Sequence, residues 1–221
     1  MKTLGKLALA LGAFALIAGT ARAQPPGTYG PGRGVGGFIM LRNKSVQQEL
    51  KATPEQAGRL DALFHDMFAR FQKDAAQLNG LPQEDRRPKF MEQQRAQRED
   101  LHKSLDGILK PEQVKRFDQI DVQQAGVQAF EMRRVQEKLK LTDGQKAEMQ
   151  RINREMMGSL ADLLSRGAAR SGDIRKDTEE LVRQVFPVRA QALVKCIAVL
   201  TDEQKATWND LNGEPFVIVV E

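Results

Sequence analysis

The side chains able to do chemistry are few. There are two histidines, His65 and His102, and one cysteine, Cys196, with no Cys-rich or His-rich tract. A structural zinc centre takes about four Cys or His ligands at close spacing, so that class lacks raw material. A looser site would need His65 and His102 to face each other across a helical hairpin, with help from Asp66 and Glu99. Across a turn centred near 80–82, the partner of residue 65 falls near 97, about one helical turn short of His102. Chance surface placement is the stronger reading of the pair, and no metal or other cofactor is expected. Cys196 follows Leu193 by three and precedes Leu200 by four, a spacing that predicts a buried, inert thiol. No Ser-His-Asp or Cys-His-Asn set can be assembled, and no Gly-rich loop follows a strand. The residues give no support for an enzyme.

Two other groups suit contact rather than catalysis. Met149, Met156 and Met157 lie close together, and adaptable Met side chains serve surfaces that accept many partners. Helical spacing favours a core role for Met149 and Met156, and since Met157 lies about 100° from Met156, at least one of those two is expected to be less buried. Arg133, Arg134, Arg151 and Arg154 form a basic cluster, joined by Arg166 and Arg170 and interleaved with Glu131, Glu137 and Glu155. Such a face is most simply a solvated one. With Met156 and Met157 it is also the candidate surface for capturing apolar and acidic segments of another chain.

The elements that carry these residues are helical. From Val46 to Leu211 the apolar residues recur with the 3.6-residue period, most clearly at Leu60, Phe64, Met67, Phe71 and Leu78. Asn79-Gly80-Leu81-Pro82 breaks the pattern, as does 167–172, leaving helices of about 25 residues joined into antiparallel hairpins. Pro187 is expected to kink the helix that contains it. The fold class is all-α, as elongated antiparallel hairpins. Ahead of them, residues 1–23 combine Lys2 and Lys6, an apolar run from Leu7 to Ala18, and Ala21-Arg22-Ala23. That is the layout of a secretory signal peptide cleaved before Gln24, with an apolar run short of the ~20 residues that span a bilayer. Export to the periplasm is expected, with no stable membrane insertion after cleavage. Cleavage takes the formal charge from +5 to +2 by removing Lys2, Lys6 and Arg22. Interspersed signs at so small a net charge argue against a nucleic-acid partner.

Four helix-start signatures recur: Thr53-Pro54-Glu55-Gln56, Lys110-Pro111-Glu112-Gln113, Thr142-Asp143-Gly144-Gln145 and Thr201-Asp202-Glu203-Gln204. Three are capping boxes, in which the Thr hydroxyl and the Gln side chain each satisfy an orphan amide. Lys110 lacks the hydroxyl, so that start is weaker. Thr53 and Thr142 are 89 residues apart, and Lys110 and Thr201 are 91 apart. Val46 to Lys51 parallels Val135 to Lys140, and Phe117 and Ile120 parallel Trp208 and Leu211. The spacing predicts two related copies, 46–134 and 135–214, preceded by a Gly/Pro-rich linker and apolar lead-in at 24–45. An apolar tail follows at 215–221; it and Phe38-Ile39-Met40-Leu41 are read as packing across the helices or pairing as strands with another chain.

With Leu141 and Leu200 ahead of their Thr residues, the signatures match the LTxxQ motif, and the chain resembles the Spy/CpxP group of periplasmic proteins. Ala52 replaces the Leu in the first signature, and Lys110 the Thr in the second. The ending Trp208 to Phe216 is similar to that of exported helical proteins common in planctomycete bacteria. The resemblance implies ATP-independent holding of unfolded or partly folded proteins, or damping of a stress-sensor domain, by a homodimer; four motif copies in one chain make a monomer the other expectation. A metal-responsive protein of the zinc or nickel type, and an assembly protein recruiting through its tail, are the alternatives.

Overall fold

The computed structural model describes residues 37–166 and 174–219. The expected signal peptide, the Gly/Pro-rich stretch to residue 36 and the turn at 167–172 lie outside the described residues. The protein is all-α: eight α-helices and two short 3-10 helices are present, and no strand forms among the described residues. A 3-10 helix, Gly37–Arg42, leads into α1 (Lys44–Glu49), α2 (Pro54–Asn79), α3 (Gln83–Asp106) and α4 (Pro111–Ala125). A second 3-10 helix, Gly126–Glu131, leads into α5 (Arg133–Leu139), α6 (Asp143–Arg166), α7 (Ile174–Ala198) and α8 (Asp202–Asn212). No described helix is long and apolar enough to cross a membrane.

The helix starts follow from the expected caps. Thr53 Oγ1 accepts from Gln56 N at 3.2 Å while Thr53 N donates to Gln56 Oε1 at 3.0 Å. The same two bonds close at Thr142–Gln145 and at Thr201–Gln204. At Lys110 only the Gln half forms, with Lys110 N donating to Gln113 Oε1 at 2.8 Å. α1 and α5 both stop at a left-handed lysine, Lys51 and Lys140, each with φ of 50°. Ala52 N donates to Gln47 O and Leu141 N to Gln136 O, the long bond of a Schellman turn in each case.

Each Gln then does more than cap. Gln56 Nε2 donates to Gln113 Oε1 at 2.8 Å, and Gln113 Nε2 returns a bond to Gln56 Oε1 at 3.2 Å. Gln145 and Gln204 exchange the same pair of bonds at 2.7 and 3.1 Å. The amides also donate to backbone carbonyls, Gln56 to Ile108 O, Gln113 to Leu50 O, Gln145 to Val199 O and Gln204 to Leu139 O. These glutamines therefore staple the start of one long helix to the start of the helix that follows the hairpin. A reciprocal primary-amide pair uses the donor and acceptor of both side chains, which satisfies polar groups that burial would otherwise strand.

Two apolar clusters result. The first gathers Phe38, Leu41, Val46, Leu60, Leu105, Phe117 and Ile120, and the second Phe130, Val135, Leu139, Met149, Ile152, Met156 and Trp208. The change-over falls inside α4, where Ile120 belongs to the first and Val122 to the second. The Gly126–Glu131 helix packs Val127, Ala129 and Phe130 into the second cluster. Phe130 stacks on Trp208 with centroids 4.4 Å apart.

Both apolar end segments pack on the body. Phe38 and Leu41 are buried, with the Phe38 ring 5.8 Å from Phe64. The tail leaves α8 through Gly213, whose φ of 61° suits glycine, and a Cβ there would collide with the Gln119 side chain. It runs back across α4 to the first cluster, where Ile218 is 1% exposed. Phe216 N donates to Gln123 Oε1, Val219 N to Ser45 Oγ, and Asn43 Nδ2 to Val219 O. Of the two readings of the tail, packing across the helices is the one the fold adopts.

Candidate binding cleft

Where the two clusters meet, α4 presents two carboxylates, Asp118 and Asp121. Asp121 is only 4% exposed and sits one residue beyond buried Ile120. Burial would raise its pKa, but Arg98, His102 and Arg134 outweigh that and hold the carboxyl well below the usual range. Arg98 Nη1, from α3, donates to both oxygens at 3.1 and 2.9 Å. Arg134 Nη2, from α5, donates to Oδ2 at 2.5 Å. His102 Nδ1 lies 2.8 Å from Asp118 Oδ1, and its Nε2 lies 3.8 Å from Asp121 Oδ2. Burial opposes charge on this imidazole, yet contacts with both aspartates raise its pKa above 6.5. Gly37 is pressed against the same carboxylate: a Cβ there would meet Asp121 Oδ1 at 2.8 Å.

Beside this network lies an open cleft of about 570 Å³, within the usual size range of binding sites. One wall is α3, from Phe90 to Lys103; the other is Gln128 to Glu137, spanning the second 3-10 helix and α5. Phe90, Met91 and Met132 supply apolar surface, Gln94 and Gln128 amides, Arg95 and Lys103 cations, and Glu99 and Glu131 carboxylates. The lining can donate to, accept from and pack against a ligand. Arg98 ties the walls together from behind: it bonds Asp121 and also reaches Met132 Sδ at 3.7 Å.

The residues expected to form a contact surface are divided. Met157 is 44% exposed, as its position on the helix requires, whereas Met156 is buried in the second cluster with Met149 and is no surface residue. The reason is periodicity: Met156 continues the stripe of Met149, Ile152 and Leu160 that packs on α7. Arg134 is drawn into the Asp121 network, and Arg133 pairs with Glu137 on the exposed side of α5. Arg151 is held by Glu148 and Glu155 on its own helix, and Arg154 is exposed. The basic cluster is thus two separate features, a cleft edge on α5 and a surface strip on α6.

His65 and His102 are not brought together. His65 is exposed with its ring edge against Phe64, while His102 turns to α4. Among the described residues no group of three or more His, Cys, Asp or Glu is arranged to hold a metal ion. Guanidinium groups take the Asp121 lone pairs that a metal would need. Cys196 is buried in the second cluster, and burial first, then the nearby Glu148 charge, pushes its thiol up to about 11. No family model, curated protein or solved structure matches the chain.

Proposed function

We propose that this chain is an exported, non-enzymatic protein of the Spy/CpxP-like kind that holds unfolded or partly folded clients without ATP, or damps a stress sensor, by surface contact. It is read as two related copies of a helical hairpin unit. The reciprocal Gln pairs support that reading, since the bonds they exchange and their bonds to Ile108 O and Leu50 O recur 89 or 91 residues later. The observation that carries the functional reading is the cleft, whose Met, Phe, Gln, Arg and Glu lining suits peptide segments of varied sequence better than one small molecule. Away from the cleft lining, exposed apolar residues lie 89 residues apart on α2 and α6, Phe68 at 39% and Met157 at 44%. Four motif signatures in one chain favour a monomer, which the mass in solution at low concentration checks.

The test is light scattering from a chemically unfolded client diluted into buffer with the mature chain at substoichiometric to equimolar ratios. Scattering falls in proportion to the protein added, and Met91→Asp, at a half-exposed cleft position, weakens the effect. Unchanged scattering at all ratios removes client holding and leaves sensor damping to be tested.

A further inference from the structure

The Asp121 network joins the cleft's two walls through a third element. Arg98 and His102 come from α3, Arg134 comes from α5, and the two aspartates they hold come from α4 behind the cleft. We infer that this network is a proton-operated clamp on the cleft, tightened when His102 is protonated and loosened when it is neutral. The inference concerns regulation of the site proposed above for clients.

The charges that face His102 are Asp118 and Asp121 on α4 and Arg134 on α5. Its neighbours on α3 are Arg98, Glu99 and Lys103, and Glu131, Arg133 and Glu137 line the cleft with it. With the proton on, α3 holds α4 through two cations, Arg98 on Asp121 and His102 on Asp118. With it off, the neutral imidazole keeps one N–H, which can still donate to Asp118, but loses its charge and its second N–H toward Asp121. The tie between α3 and α4 therefore weakens, and Asp118's cation is Arg134 Nη1 at 3.5 Å. The tightened arrangement is also incompletely bonded. His102 Nε2, Asp118 Oδ1 and Arg134 Nε are buried without an aligned hydrogen-bond partner. A buried polar network with several unmet partners has rivals close in free energy, in which opening to water would satisfy those atoms. The contacts with both aspartates raise the imidazole's affinity for its proton in the tightened form. By linkage, protonation favours that form, and raising the pH favours one in which the imidazole is solvated.

The experiment places one label on each wall of the full mature chain, at Met91→Cys and Gln128→Cys, and reads the distance by spin-label spectroscopy between pH 5.5 and 8.5. Native Cys196 is buried and does not compete for label. The expected result is a widening of about 2 Å with rising pH, the scale of helix shifts at packed interfaces. Its midpoint should match the His102 imidazole titration seen by NMR, where only two histidines contribute signals. His102→Gln should fix the wide distance at every pH. A distance that does not move in the wild type, or that moves equally in His102→Gln, overturns the clamp. If His102→Gln does not fold, the match between distance and imidazole midpoints in the wild type decides alone. No client is present, so failure here leaves client holding untouched, and failure to suppress scattering leaves the clamp standing.

Discussion

The two halves of the chain share the glutamine staples and differ in one buried ionic network. The Gln56–Gln113 staple closing the first cluster is repeated by Gln145–Gln204 at the second, including the bonds to Ile108 O and Val199 O and to Leu50 O and Leu139 O. The Asp121 network is not repeated. Positions 91 residues after Asp118, Asp121 and His102 hold Asn209, Asn212 and Leu193. A buried carboxylate is costly unless paired, so nothing in the packing alone calls for one here. What recurs is the bonding at the helix starts; what occurs once lies against the cleft.

The largest expected effect breaks this comparison at the network. Asp121→Ala strands two guanidinium groups and should cost about 3–5 kcal/mol, read by urea unfolding of the mature chain. Asn212→Ala, at the matching position, should cost under about 1 kcal/mol. Comparable losses at both positions would mean that the charge does no more than its uncharged counterpart. Next come the staples. Gln113→Ala leaves Lys110 N and Leu50 O without their side-chain partner, and Gln204→Ala does the same to Thr201 N and Leu139 O. Each should cost about 2–4 kcal/mol, and the two within about 1 kcal/mol of each other. A wide gap between them would separate halves that the scaffold makes alike.

The helices, their starts and most of the apolar faces were legible in the sequence because they rest on local rules. A capping box needs only Thr and Gln three residues apart, and a 3.6-residue stripe such as Met149, Ile152 and Met156 declares its own buried side. The Gln staple was half legible. Four recurrences of Gln marked the residue, but capping accounted for it, and the second job depends on which helix starts lie side by side. The Asp121 network was missed, although a signal existed: Asp121 lies four residues after Phe117 and next to Ile120, on the buried stripe of α4. A charge at such a place asks for partners, and Arg98, His102 and Arg134 are distant enough in sequence that only the fold supplies them. The tail was open to two readings because an apolar run names no partner.

Titration sharpens the comparison on both flanks of pH. Asp121 has a folded pKa below its unfolded value, so its contribution is present above about pH 4 and is lost as the pH falls toward that depressed value. His102 has a folded pKa above 6.5, so its contribution is complete below 6.5 and is lost as the pH rises through the folded value. Wild-type stability should therefore fall between pH 6.5 and 8.5 more steeply than that of His102→Gln, by denaturant titration at each pH. Equal slopes would remove His102 from the balance.

The smallest effect returns to what the halves share. Lys51 and Lys140 both hold φ of 50°, a region open to glycine at no steric cost and to lysine only with strain. Neither conformation is an accident of one site, because each lysine closes a Schellman turn that hands the chain to the next capping box. Lys51→Gly and Lys140→Gly should each raise stability by about 0.5–1 kcal/mol, the relieved strain exceeding the entropy that glycine adds to the unfolded chain. The gains should be equal and additive, since the two turns belong to separate clusters. A gain at one turn and a loss at the other would show that one lysine does something beyond turning the chain; Lys51, whose carbonyl also accepts from Gln113 Nε2 at 3.3 Å, is the one to expect it of.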